Sequence, residues 1–196
     1  MRKALAGFAT AAALLALAGC ATVTSAPAGT YKVGAAYTVT LNREWSDVSR
    51  MANVHEKGVR VLSIDGPALN RLYLTEGLAP GASLVTSTVK EKPTPVFRSD
   101  FSSSETVEFV ADSMSALGYL GVQTSNPRPG KFGQADGVRF DLTGRTKEGL
   151  DISGTALTSE KDGKLYVILY IAPTEHYYGD ALPEVEAIMK SASGVS

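Results

Sequence analysis

The chain has 196 residues, with 19 Lys and Arg against 20 Asp and Glu and a formal net charge of −1. An apolar fraction of 44% and a charged fraction of 20% are those of an ordinary globular protein. There is no basic excess to neutralise phosphates, which excludes nucleic acid as a partner. The one Cys, at position 20, leaves neither a disulfide framework nor a thiolate metal cluster.

Arg2 and Lys3 precede an uncharged run of mostly Ala and Leu that closes on Leu17, Ala18, Gly19 and Cys20. A basic start, an apolar middle and small residues before a cleavage point make a secretory signal. The apolar stretch from Ala4 to Ala18 is shorter than the roughly 20 residues that span a bilayer, and an ordinary signal would have no use for the Cys. Residues 17–20 resemble the lipobox of bacterial lipoproteins. The resemblance implies that residues 1–19 are removed as a signal peptide and that Cys20 carries diacylglycerol on its thiol and an acyl chain such as palmitate on its amino group. Everything beyond Cys20 then hangs from a membrane. Ala21 stands where an Asp commonly retains such proteins at the inner membrane, so the expected location is the periplasmic face of the outer membrane. Loss of Arg2 and Lys3 takes the net charge to −3, which leaves membrane contact to the anchor.

Residues 20–35 are rich in Thr, Ser, Ala, Pro and Gly and show no apolar period. They are expected to form the lipidated Cys and a flexible tether reaching roughly 20 Å. About 160 residues then remain, enough for one self-sufficient domain, placed at residues 36–193. Tyr37, Val39 and Leu41 alternate with polar residues as in a half-buried strand. Trp45, the one tryptophan, is expected to plug the core at the end of that strand. Residues 59–64 and 71–75 are further strand candidates, separated by the turn residues Asp65, Gly66 and Pro67. Residues 82–90 alternate weakly and are also expected to be strand, before Pro93 and Pro95 break regular structure.

Val107, Val110, Met114 and Leu117 form one apolar stripe at helical spacing, which predicts a helix over residues 104–117. Ser102 and Glu105 have the spacing of a capping box, and Gly118 follows where a left-handed cap would sit. A strand over 119–124 and a long polar loop over 125–136 are expected next. Residues 137–143 and 150–157 alternate apolar with polar, while 165–171 are apolar throughout. Together they predict a three-stranded antiparallel meander whose last strand is central. Pro183 is expected near the start of a closing helix, where its missing N–H costs nothing. Val185, Ile188, Met189 and Ala192 supply that helix's buried stripe. Strands in runs with helices appended make an α+β domain.

An early strand ending at Trp45, a mid-chain helix, the meander and a closing helix through Val185-Glu-Ala-Ile-Met-Lys-Ser191 together resemble the PsbP/Mog1-like fold. The resemblance implies an antiparallel sheet flanked by helices, an α/β/α sandwich. Members of that family generally dock on protein partners, near a photosynthetic membrane or on a small GTPase. No functional residue of theirs maps onto a position here.

Signals for catalysis are sparse. Ser87 and Lys90 have the Ser-x-x-Lys spacing of penicillin-binding proteins, but they fall in a stretch that reads as strand, and the partner motifs are missing. His55-Glu56 and Glu175-His176 are the two His–carboxylate neighbours, and adjacent strand residues point to opposite faces. No metal site and no cofactor is expected, since two His supply too few ligands. The sequence therefore favours a non-catalytic, monomeric envelope domain that binds a periplasmic protein or an apolar ligand. The alternative is a periplasmic hydrolase assembled from scattered Ser, Asp and His. The interaction site is expected at residues 172–180, after the most buried strand. Its candidates are Glu175, His176, Tyr177 and Tyr178, because loops at sheet ends carry binding groups and tyrosine gives contact area at low entropic cost.

Overall fold

A computed structural model describes residues 23–51 and 57–194. Cys20, His55 and Glu56 lie outside the described residues. The strands are β1 (Thr24–Ala26), β2 (Gly29–Val33), β3 (Tyr37–Leu41), β4 (Trp45–Asp47), β5 (Val59–Ser63) and β6 (Arg71–Thr75), followed by β7 (Leu120–Phe132), β8 (Ala135–Arg145), β9 (Asp151–Lys161) and β10 (Lys164–Pro173). Helix α1 (Ser103–Ala116) separates β6 from β7, and α2 (Gly179–Ser191) follows β10. Eight strands form one antiparallel sheet in the order β1-β4-β5-β6-β10-β9-β8-β7, while β2 and β3 pair as a separate hairpin.

From Leu165 onward β10 is apolar because helices cover both of its faces. Val167, Leu169 and Ile171 join Phe109, Val110 and Met114 of α1 in one core. Ile168, Tyr170 and Ala172 join Val185, Ile188 and Met189 of α2 in the other. Each fully buried apolar side chain contributes about 1.5–3 kcal/mol, so this one strand ties the two layers together. The result is the α+β sandwich expected from the sequence. The meander of β8, β9 and β10 is as expected, and Asp162 and Gly163, both at positive φ (51° and 68°), make the tight turn between its last two strands. Ser102 and Glu105 form the reciprocal capping box of α1, and Gly118, at φ 96°, follows its C-cap. Trp45 is buried as a core plug, with its Nε1–H donating to Glu184 of α2 at 2.9 Å.

Four expectations require correction. Residues 20–35 are not tether throughout, since β1 and β2 occupy half of the stretch and bury Ala26 and Val33. Strands of three and five residues rich in Thr, Ser and Gly show too little alternation to be read. Residues 82–90 form no strand. Leu84 and Val85 are buried neighbours, and the segment caps α1: the Thr88 N–H and the hydroxyls of Ser87 and Thr88 all donate to the Ala116 carbonyl. The loop expected over 125–136 lies largely within β7, a thirteen-residue strand despite Pro127 and Pro129. An edge strand tolerates proline because one row of its N–H groups needs no partner, and bulges at 120–123 and 125–128 absorb the misfit. Finally, α2 begins four residues before Pro183, so the missing N–H forfeits the bond to the Gly179 carbonyl.

Candidate functional site

The strand directions give the sheet two unlike ends. β10 runs parallel to β1 in this antiparallel order, so the C-terminal end of β10 and the N-terminal start of β1 lie at opposite ends. The end reached by β10 is called upper here. Pairing there stops at Pro173, opposite Ile152, and the chain passes through a single π-type turn, Thr174–Tyr178, into α2.

The turn divides its four candidate residues into two pairs. Tyr177 and Tyr178 are half-buried. The Tyr178 ring stacks on Tyr170 with centroids 6.0 Å apart, and its hydroxyl donates to the Gly154 carbonyl at 3.4 Å. Burial, then the nearby Asp141 carboxylate, pushes the Tyr178 hydroxyl's pKa up. The Tyr177 carbonyl accepts from the Tyr170 hydroxyl at 3.2 Å, and its ring packs against the α2 core. Glu175 and His176 are exposed. His176 has φ 72° and ψ −66°, the rarer γ-turn conformation, which costs a non-glycine residue about 1–3 kcal/mol. Its ring lies edge-on to Tyr177 at 5.2 Å, and Nδ1 is 3.6 Å from the Asp180 carboxylate. The tyrosines fasten the turn to the body, and Glu175 and His176 stand clear of it.

A groove of about 640 Å³ opens beside the turn, between the first residues of β7, the last of β8, the first of β9 and Thr174. The Ser153 and Thr174 hydroxyls meet at 2.9 Å on its wall, and Arg145 pairs with Asp151 at 2.8 Å. Leu120, on the groove wall, and Leu150, next to Asp151, are 50% and 46% exposed.

On the sheet face below, β7, β8 and β9 bring together a polar network. Arg128 lies directly across from Arg139, a like-charge pair that must be compensated. Arg128 donates to both Asp141 oxygens at 3.1 and 3.2 Å, and Arg139 donates to Thr155 at 3.1 Å and to Glu186 of α2 at 3.4 Å. Asn126 and Thr155 also donate to Asp141. Burial alone would raise the Asp141 pKa, but the hydrogen bonds from Arg128, Asn126 and Thr155 outweigh it and hold the carboxyl below its ordinary value. Burial pulls the Arg139 pKa down against the opposing pull of Glu186. This network escaped the sequence because Asn126 and Arg128 fell in the expected loop. The alternation of Arg139, Asp141 and Thr143 was visible, but not the strand across from it.

His176 faces Asp180 and Tyr177, and among the described residues no hydroxyl is hydrogen-bonded to it. Nor, among the described residues, does any group of three His, Cys, Asp or Glu side chains come together for a metal ion. No helix of the described residues is long and apolar enough to cross a membrane.

The sequence matches no family model and no curated protein. Among solved structures, the Ran-binding protein Mog1p of Saccharomyces cerevisiae is similar in fold, with a TM-score of 0.50 and 11% identity over 89% of this chain and 96% of Mog1p. LpqN of Mycobacterium tuberculosis, a protein involved in cell envelope biogenesis, matches at a TM-score of 0.37 and 14% identity over 87% of this chain and 90% of LpqN, too slight a likeness to carry a conclusion. The likeness to Mog1p is one of fold: an antiparallel sheet between helices, the Mog1-like α+β architecture.

Proposed function

We propose that this chain is a bacterial envelope lipoprotein, cleaved before Cys20 and acylated there, whose body docks a periplasmic protein without catalysing a reaction on it. In this reading residues 1–19 are the signal peptide, residues 21–23 are the whole link, and one body runs from Thr24 to about residue 193. The protein sits on the periplasmic face of the outer membrane. The anchor rests on the sequence Leu17-Ala18-Gly19-Cys20.

The observation that carries the docking assignment is the opposition of the two ends. The chain enters the sheet at the lower end, and the groove with the turn Thr174–Tyr178 opens at the upper one. A lipid-anchored body so built holds its groove, Leu120, Leu150, Glu175 and His176 away from the bilayer, where a partner can reach them. Apolar tips among charges of both signs are the composition of a protein interface. The same fold serves the Ran-binding protein Mog1p, so docking on protein is within its reach, although Ran itself is not implied.

The test is metabolic labelling with palmitate together with in-cell crosslinking from position 176. The wild-type chain should incorporate label, Cys20→Ala should not, and a crosslinker in place of His176 should capture a discrete protein. Label in the Cys20→Ala chain contradicts the anchor, and lipid or no adduct at 176 contradicts the docking end.

A further inference from the structure

We propose that a cavity between β7, β8, β9 and the last turn of α2 binds phosphate, as the free ion or as a small monoester. The site is separate from the groove at the upper end, and it rests on neither the anchor nor the docking partner.

The cavity encloses about 320 Å³, within the roughly 300–1,000 Å³ of small-molecule sites. Leu157 of β9 and Met189 of α2, both buried, give it an apolar floor. Gly130 of β7 keeps that floor open, because a Cβ there would approach Leu157 Cδ1 to 2.8 Å. Arg128, Arg139 and Lys190 line the cavity, and no carboxylate does. Lys131 also borders it, but three residues beyond Arg128 its side chain takes the opposite face of β7 and pairs with Asp136.

Two carboxylates answer the three cations, and both come from the upper side. β8 runs parallel to β10, so Asp141, two residues beyond Arg139, lies above it. Asp141 accepts from Arg128 at 3.1 and 3.2 Å. Helix α2 descends from the upper turn, so Glu186, which accepts from Arg139 at 3.4 Å, lies one turn above Lys190. Gly130 and Lys190 stand below the guanidiniums, and the cavity opens on that side.

Arg139 is the buried member, with its side chain 13% exposed. Burial, against the pull of Glu186, and then the Arg128 charge hold its pKa below the ordinary value. Its Nε donates to Thr155 and its Nη2 to Glu186, while Nη1 has no hydrogen bond among the described residues. Lys190 has neither an ion pair nor a hydrogen bond among the described residues. Two guanidiniums facing each other across strands, with an unpaired ammonium added, are costly until an anion joins them. A phosphate offers oxygens to several such donors at once, and arginine forks match its geometry. Asn126, Asp141 and Thr155 already hold both arginines in place, so little side-chain freedom is lost on binding.

The test is calorimetric titration of the purified full-length chain with inorganic phosphate, glycerol 3-phosphate and acetate. Salt is held constant at about pH 7.5, where a phosphate ester is a dianion. The expected result is saturable binding of at least one of the two phosphates and none of acetate over the same concentrations. Whichever phosphate binds more tightly tells the free ion from the ester. Arg139→Gln and Lys190→Gln should each weaken binding at least about tenfold, the weight of one charge-assisted contact. Arg145→Gln, at the other end of β8, should leave it unchanged. Lys190 also suits the negative end of its helix, and a role confined to that would lower the melting temperature of Lys190→Gln without changing its affinity. Since no described contact depends on the Lys190 ammonium, that variant decides the matter even where Arg139→Gln does not fold. No saturable phosphate binding, equal binding of acetate, undiminished binding by Lys190→Gln or by folded Arg139→Gln, or an equal loss in Arg145→Gln overturns the site.

Discussion

Among the described residues, large apolar side chains are exposed at both ends of the sheet, Val23 and Met51 at the lower and Leu120 and Leu150 at the upper. Both pairs stand among charges of both signs. The lower pair shares its end with Lys32 and Lys57 but also with Asp47 and the Arg60–Glu76 ion pair, and the upper pair with the Arg145–Asp151 ion pair and Glu175, His176 and Asp180. Exposed apolar area alone does not name a partner. The covalent chain then breaks any remaining tie, because it reaches only the lower end.

The largest expected effect comes from cutting the link between the ends. Trp45 sits in β4, which leads to the lower turn, and it donates to Glu184 of α2, the helix that the upper turn enters. Trp45→Ala should cost about 3–5 kcal/mol, a fall in melting temperature of roughly 10 °C at about 2–4 °C per kcal/mol. A loss below about 1 kcal/mol would mean that Trp45 does not hold α2 to the sheet.

Next is Tyr178→Ala, which removes the stacking on Tyr170 and the hydroxyl's bond to Gly154 and should cost about 2 kcal/mol for a half-buried ring. Tyr177→Ala should cost less. If both variants melt lower yet still crosslink a partner from position 176, the tyrosines are fastenings and the contact surface is Glu175 and His176. Unchanged melting in Tyr178→Ala would show that the upper turn is not fastened by that ring.

A smaller effect is expected at acid pH. Asp141 has a folded pKa below its unfolded value of about 3.9. Its contribution to stability is therefore complete above about pH 4 to 5 and is lost as the pH falls through the folded value. Arg128→Gln should raise the Asp141 pKa in an NMR titration and move the acid limb of unfolding to higher pH. An unchanged titration would mean that the Arg128 hydrogen bonds do not hold the carboxylate.

The smallest effect, and the sharpest test of the upper end, is His176→Gly. Glycine accepts φ 72° without strain, so the variant should be as stable as wild type or up to about 1 kcal/mol more stable. The same change removes a side chain assigned to docking. Lost stability would show that the imidazole packs rather than projects, and unimpaired partner capture from neighbouring position 175 would remove His176 from the interface.

The legible parts of this fold were those whose burial is regular. Val167 to Ile171 read as central because every residue is apolar, and Val110 and Met114 read as a helix face by their spacing. Ser102 and Glu105 marked the start of α1 through local hydrogen bonding, which needs no tertiary knowledge. β1 was illegible because three residues carry no period, and β7 because Pro127 and Pro129 are tolerated only at an edge that the sequence does not announce. The exposed turn was found from the end of the apolar run at Pro173. The sequence had no means of dividing Glu175 and His176 from the tyrosines beside them, since that division depends on Tyr170 and Gly154 arriving from β10 and β9. The network around Asp141 is likewise a product of register, with Asn126, Arg128, Thr155 and Glu186 brought in from other elements.

The central claim, that the two ends face opposite ways on a membrane, is tested most directly by paramagnetic relaxation in a bilayer nanodisc. The acylated chain is reconstituted with a gadolinium-bearing lipid, and amide relaxation is compared at Gly58, at the lower end, and Gly179, at the start of α2. The account predicts strong broadening at Gly58 and little at Gly179. Equal broadening at both, or the greater effect at Gly179, would contradict it.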